Sequence, residues 1–187
     1  MPRALLAALL SIVPSMLPVL AHAADQTVLG NQLSIKAGSS TKIIVKAKET
    51  GTDNTIVGDP TANGAMLTVS ANGGTSTIQT FNLPAGTSLM TGKPFWSGDA
   101  TKGYKYKDPK GENGPVKTAQ IKKTPSGVFQ IKATISGKLG AVLVTPPNPG
   151  TNGCGLLLIT GGDSYSVAFK VGDGLVTNKG STLYKHK

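Results

Sequence analysis

Apolar residues recur at every second position along much of this chain, the period of a strand with one buried face. Val128 to Ile135 shows it most cleanly, with Phe129, Ile131, Ala133 and Ile135 on one side and Gln130, Lys132 and Thr134 on the other. Thr41 to Glu49 repeats the pattern: Ile43, Val45 and Ala47 oppose Lys42, Lys46 and Lys48, with Ile44 as the exception. Gly64 to Ala71 sets Ala65, Leu67 and Val69 against Thr68 and Ser70. Asn72-Gly73-Gly74 then carries the glycines that a tight hairpin turn needs, and Thr75 to Leu83 reads as the returning partner.

Further strands are expected at Leu33 to Lys36, Gly103 to Lys107, Val116 to Lys123, Ala141 to Thr145, Leu156 to Thr160 and Tyr165 to Val171. Leu175-Val176 and Leu183-Tyr184 read as a last edge strand. Turn residues separate these runs: Asp59-Pro60 in the loop from Thr50 to Asn63, Pro125-Ser126-Gly127, Pro146-Pro147-Asn148-Pro149-Gly150, and Gly161-Gly162-Asp163. Pro84 to Ala100 reads as a long irregular connection containing Phe95 and Trp96. No window of a dozen residues beyond the N-terminus has helical periodicity, and the 24 glycines break most candidates. The expected fold is all-β, an antiparallel β-sandwich of jelly-roll or immunoglobulin-like type with about ten short strands.

The N-terminus follows a different rule. Arg3 precedes an apolar run from Ala4 to Leu20, and Ala21-His22-Ala23 places small residues where a signal peptidase reads them. Residues 1–23 are therefore expected to be a cleaved leader, and residues 24–187 a single domain large enough to bury a core without disulfides. Pro14 and Pro18 interrupt the apolar run, and no second run follows, so no membrane span is expected after cleavage. The expected location is secreted or periplasmic. Cys154 is the only cysteine and can form no intramolecular disulfide.

Charge narrows the partners. Arg3 is the sole arginine and lies in the leader, so the remaining 18 lysines exceed the nine carboxylates by nine. A basic surface attracts polyanions. The absence of arginine argues against sequence-specific nucleic-acid recognition, which relies on the planar bidentate guanidinium. Lysines also protect exposed strands from edge-to-edge association, which is the plainer use of them.

The densest basic stretch is Gly103-Tyr104-Lys105-Tyr106-Lys107-Asp108, followed by a polar turn and Val116-Lys117. Lys105, Lys107, Lys110, Lys117, Lys122 and Lys123 form a candidate ligand patch, with Trp96 as a candidate aromatic platform. A lone tryptophan in a loop serves equally to plug one end of a core. Asp108, Glu112 and Asn113 offer oxygens for a calcium ion, although Lys107 and Lys110 beside them would repel a cation. Otherwise these three simply build a turn.

Familiar catalytic groupings are missing. His22 lies in the leader and His186 in the basic tail, where it reads as a disordered terminal residue, so no histidine is expected inside the fold to serve a Ser-His-Asp or Cys-His site. Gly162-Asp163-Ser164 resembles a hydrolase nucleophile block but falls where a hairpin turn belongs. Ser39-Ser40-Thr41-Lys42 spells Ser-x-x-Lys but precedes a strand instead of opening a helix. No cofactor is expected.

One resemblance covers most of the chain beyond the leader. Asp59-Pro60-Thr61 with Gly64-Ala65-Met66-Leu67, then Leu83-Pro84, then Gly103 to Asp108, then Gly114-Pro115-Val116-Lys117 resembles, in order and spacing, an uncharacterised family of secreted bacterial β-domains. Members often carry a cysteine just after the aromatic of the last strand, whereas here Ser166 follows Tyr165. The resemblance implies compartment and fold and assigns no chemistry. The expected function is a non-enzymatic extracellular surface, matrix or binding module whose partner is an anionic polysaccharide or other cell-surface polymer. The alternatives are a polysaccharide-active lyase or glycosidase using lysine, tyrosine and carboxylates, with Tyr104, Tyr106 and Lys105 as the residues to test, and a pilus or fibre subunit.

Overall fold

The computed structural model describes residues 23–38, 40–148, 150–170 and 177–186. The expected leader (residues 1–23) except Ala23, Ser39 of the Ser-x-x-Lys match, Val171 at the end of an expected strand, and Leu175-Val176 lie outside the described residues. No helix among the described residues is long and apolar enough to cross a membrane.

The chain is nearly all β. Its elements in order are β1 (Asp25–Lys36), β2 (Lys42–Thr50), the short helix α1 (Pro60–Asn63), β3 (Ala65–Gly73), β4 (Thr77–Leu83), β5 (Trp96–Asp99) and β6 (Gly103–Lys107). They continue with β7 (Val116–Lys123), β8 (Val128–Ser136), β9 (Gly150–Ile159), β10 (Ser164–Lys170), β11 (Thr177–Lys179) and β12 (Leu183–His186). The strands hydrogen-bond in the order β4-β3-β9-β10-β1-β2-β8-β7-β6-β5, with β12 and then β11 attached to β1.

The all-β expectation holds, but the layering differs from two separate antiparallel sheets. The strands form one curled, mixed sheet, a half-barrel. Its continuity depends on β1, which is much longer than the expected Leu33 to Lys36. Asp25 to Leu29 runs parallel to β10, while Gly30 to Lys36 runs antiparallel to β2. Between these halves the register shifts, between Gly30 and Gln32. A side chain at Gly30 would collide with the Ala168 carbonyl and the Phe169 ring, so glycine lets the strand pass where it changes partners.

Alternation places the core as expected. Ile43, Val45 and Ala47 of β2 and Phe129, Ile131, Ala133 and Ile135 of β8 are buried on one wall. They face Leu67 and Val69 of β3, Leu157 and Ile159 of β9, and Val167 and Phe169 of β10. The two walls approach closely: Leu33 fills the space where a Gly153 side chain would stand, and Val45 would press tightly on one at Gly155. These glycines set the spacing of the walls.

Three expectations need correction. Asp59-Pro60 does not merely turn the chain; it opens α1. The Asp59 carboxylate accepts from the Thr61 N–H at 2.8 Å and the Thr61 hydroxyl at 2.6 Å, with proline at the first helical position. Ala141 to Thr145 is not a strand. The segment lies along the edge of β4, and side chains replace the ladder: the Gln79 amide spans Ala141 O (3.2 Å) and Leu143 N (2.7 Å), and the Thr77 hydroxyl bridges Thr145 O (3.1 Å) and Thr145 N (3.3 Å). His186 is neither disordered nor exposed. It lies opposite Leu33 on β12, 1% exposed, with its ring 5.8 Å from that of Phe169.

Gly103 opens β6 at φ +101°, where a Cβ would run into the Ile121 carbonyl oxygen and the Lys122 Cα across the ladder. Gly114 has φ +110° with open space around it. Gly103→Ala is therefore expected to lower unfolding free energy by about 3 kcal/mol and Gly114→Ala by about 1 kcal/mol, strain being common to both and collision to one. Urea titration of the two variants checks this, and equal losses would contradict it.

Candidate functional site

The expected ligand patch separates into two groups once register is known. In β6, Tyr104 and Tyr106 point into the core and Lys105 and Lys107 point outward. Tyr106, 1% exposed, packs between Phe95 and Trp96 at ring separations of 6.0 and 5.3 Å. Trp96 is itself buried, and its Nε1–H donates to Leu83 O at 3.0 Å. It plugs the core and offers no ring to a ligand, which corrects its candidacy. Both phenols that the enzymatic alternative invokes lie in the core, while Lys105 is exposed.

Asp108, Glu112 and Asn113 do come together, but as a tied loop. Asp108 is fully buried; its Oδ1 accepts from Glu112 N at 3.0 Å and its Oδ2 from Asn113 N at 2.7 Å. Glu112 reaches to the neighbouring loop, taking the Ser88 hydroxyl on one oxygen and Leu89 N on the other at 2.8 Å. N–H and O–H donors thus occupy the oxygens that a calcium ion would need. No group of three or more His, Cys, Asp or Glu side chains placed to hold a metal occurs among the described residues. The carboxylates hold the loop together.

The lysines tell a different story. Lys105 stands opposite Gln120 of β7, Gln120 opposite Lys132 of β8, and Lys132 opposite Lys46 of β2. A groove of about 190 Å³ runs along this row, lined by Lys46, Lys105, Lys132, Thr118, Gln120 and Ile44. Next to it Lys107, Thr118, Thr134 and Ile44 form a parallel row, and on the other side Lys122, Gln130 and Lys48 form a third. At the far end Lys42 faces Lys36 of β1, and a second groove of about 350 Å³ gathers Lys36, Lys42, Lys117 and Lys138. The register shift between Val116 and Thr118 brings Lys117 outward as well as Thr118.

No outward position of β2, β6, β7 or β8 is a carboxylate. Asp99, at the β5 edge, spends its Oδ1 on Thr101 N and Lys102 N. Of the six lysines expected in the patch, Lys105, Lys107, Lys117 and Lys122 share this face. Lys110 is exposed on the loop after β6. Lys123 has the opposite strand parity, and its Nζ donates to Asn54 O at 2.7 Å, so it belongs to the fold and not to the patch. Ala119, Ile121 and Lys123 share one parity in the sequence, and that signal could have excluded it. Lys36, Lys42, Lys46, Lys48, Lys132 and Lys138 are the members that local reading misses. All but Lys138, which lies in the turn after β8, stand within an expected strand, but only the order β1-β2-β8-β7-β6 puts them side by side.

The aromatic residues are equally sorted. All four phenylalanines, all four tyrosines and the single tryptophan are buried. Neither a base nor a sugar ring has an aromatic surface to stack on.

Comparison with protein-family models, with curated proteins and with solved structures finds no match.

All four phenols ionise above the ordinary value of 10.0, and burial is the main cause at each. Nearby negative charge adds to it, from Asp59 at Tyr104, Asp108 at Tyr106 and Asp163 at Tyr165. A folded pKa above the unfolded one means that this stability is fully present below pH 10.0 and is lost as pH climbs through the raised values. Ultraviolet titration should therefore show no phenolate near pH 10.0, followed by joint ionisation and unfolding at higher pH. A tyrosine that ionises near 10.0 with the fold intact would contradict this burial.

Proposed function

We propose that the outer face of β1, β2, β8, β7 and β6 binds an anionic polysaccharide, and that the protein serves as a non-enzymatic extracellular binding module. One observation carries the reading: Lys46 and Lys132 stand directly opposite each other on central strands, Lys105 lies in the same row, and the outward positions of β2, β6, β7 and β8 contain no carboxylate. Like charges placed directly across a ladder destabilise a sheet. Protection of strand edges does not account for them, because β2 and β8 are paired on both sides. An ordinary soluble surface would intersperse the two signs.

The chemistry of the face favours sugars carrying acid groups. Cross-strand neighbours are roughly 4.8 Å apart and alternate residues roughly 6.7 Å, so the ammonium groups form a grid matched to a polymer with closely repeated charges. Lysine is a compact point charge that imposes no bidentate geometry, which suits tolerance of chemical detail in the polymer. Between the lysines stand Gln120, Gln130, Thr118, Thr134 and Ser136, whose amides and hydroxyls can exchange hydrogen bonds with sugar hydroxyls. The absence of an exposed aromatic ring disfavours single-stranded nucleic acid, for which stacking is the main sequence-tolerant contact.

Replacing Lys46, Lys105 and Lys132 together by glutamine should weaken binding to a sulfated or uronic-acid polysaccharide at least tenfold at low salt. It should also flatten the fall of affinity with added salt, since fewer charge contacts remain to be screened. The same change should raise thermal stability slightly, because the Lys46–Lys132 repulsion, about 0.2–1 kcal/mol, disappears. Lys123→Gln should leave affinity unchanged. Affinity that does not respond to the triple substitution, or tighter binding to single-stranded nucleic acid than to the polysaccharide, would overturn the proposal.

A further inference from the structure

Asp163 lies in the turn between β9 and β10 and is fully buried. Its Oδ2 accepts from Val57 N at 2.7 Å, the Tyr165 hydroxyl at 3.1 Å and the Thr55 hydroxyl at 3.2 Å. Its Oδ1 accepts from Ala24 N at 2.8 Å. Two backbone amides, a hydroxyl and a phenol surround the carboxylate, and all four are neutral in an uncut chain. Burying a carboxylate among neutral donors alone carries a desolvation cost that a cation would offset.

Ala24 is the residue that would become the N-terminus if the leader were removed after Ala23. We infer that Asp163 is the receptor for the α-ammonium group released at Ala24, so that proteolytic processing completes the charge pairing of the fold. The inference rests on the reading of residues 1–23 as a cleaved leader. Cleavage adds the hydroxyl of water to the Ala23 carbonyl carbon and breaks the Ala23–Ala24 C–N bond. The remaining proton of water and the proton of the new acid go to nitrogen, leaving a carboxylate on Ala23 and an ammonium on Ala24. The nitrogen that donated one neutral N–H to Asp163 thereby gains a full positive charge at the same place.

The geometry suits this conversion. Ala24 O accepts from Ser164 N at 2.9 Å, so the residue is held on both sides of its Cα and its nitrogen cannot swing away. Ala23 and Ala24 are both exposed, which leaves the bond open to a peptidase and leaves room for a preceding chain. Four segments meet at the carboxylate: the start of β1, residues 55–57, the β9–β10 turn and β10 itself. Pairing an ammonium here would tie all four more tightly. The other titratable groups on or beside these segments are Asp25, whose carboxylate takes the Ser164 hydroxyl, Asp53, Tyr165 and, at the far end of β10, Lys170; Lys123 is anchored nearby on Asn54 O.

An α-ammonium ionises near 8 in an unfolded chain, and pairing raises that value in the fold. The added stability is therefore fully present below about pH 8 and is lost as pH rises through the raised value. Three forms of the protein test this: one beginning at Ala24 with a free amine, one with that amine acetylated, and one beginning at Ala23. At about pH 6 the free-amine form should have a folding equilibrium constant on the order of tenfold larger than either of the others, with the gap closing toward about pH 10. Tyrosine ionisation is common to all three forms and cancels in the difference.

In an Asp163→Asn background the gap should vanish. If that variant does not fold, the comparison of free, acetylated and extended forms still decides. Equal stability of the three forms at about pH 6, or a gap that persists in Asp163→Asn, would overturn the receptor role. The mass of the protein exported from cells expressing the full chain tests the leader separately. A start other than Ala24 overturns the processing reading, whereas a start at Ala24 without a free-amine advantage overturns only the role of Asp163.

Discussion

Everything in this fold hangs on β1 belonging to both walls. Its first half completes one wall by lying parallel to β10, and its second half completes the other by lying antiparallel to β2. A parallel pair cannot be made by a short turn, so Asp25 to Leu29 must find Ser164 to Ala168 across nearly the whole chain. Closing so long a loop has an entropic cost before any contact rewards it. That places unusual weight on whatever fixes the start of β1. The Asp163 carboxylate does so, since it gathers Ala24, Thr55, Val57 and Tyr165 around one buried point. The switch at Gly30 and the anchor at Asp163 are thus two parts of one constraint: the strand must be held at its origin and must be free of side-chain bulk where it changes sides.

The same chain sorts its charges by sign. Asp59, Asp99, Asp108, Glu112 and Asp163 all accept hydrogen bonds from backbone N–H groups at turns, loops or a helix start. A carboxylate bound in that way is solvated by the protein and has little reason to seek a lysine. The lysines are left to the outward positions of the strands. Positive charge therefore accumulates on one face, while five of the nine acids are engaged in holding the loops. A cross-strand pair such as Lys46 and Lys132 costs stability, and the fold tolerates it because the walls beneath are closely packed and their loops are tied.

How much of this the sequence reveals depends on whether a feature is local. β8 alternates without interruption, β2 and β3 do so with single exceptions at Ile44 and Met66, and all three are legible residue by residue. The first half of β1 is not, because Val28 is its only buried apolar residue and Gly30 breaks the rhythm where the partner changes. Ala141 to Thr145 reads as a strand because its composition is that of one, yet Thr77 and Gln79 bind its backbone with side chains in place of a ladder. His186 looks like a disordered tail because nothing local shows that β12 will lie beside Leu33. For the lysine face, parity along each strand already tells which lysines point outward and which, such as Lys123, does not. Adjacency is invisible, because Lys46, Lys105 and Lys132 meet only through the order in which distant strands pair.

That distinction bears on what the face can recognise. Interleaved tyrosine and lysine in Gly103 to Asp108 suggests a mixed aromatic and basic platform when read alone. Strand geometry separates the two: Tyr106 goes under Phe95 and Trp96, and Lys105 joins lysines from β2 and β8. The rings stiffen the wall from beneath while the charges are presented above it. A face without rings cannot select by stacking, and one without arginine cannot select by bidentate geometry. If the face binds a polymer as proposed, what remains is selection by the density and spacing of negative charge, refined by hydroxyls and amides between the lysines. Such a surface distinguishes a closely charged polymer from a neutral one far better than it distinguishes two charged polymers from each other, because its contacts are point charges whose strength depends on separation and screening and not on the shape of the acid group.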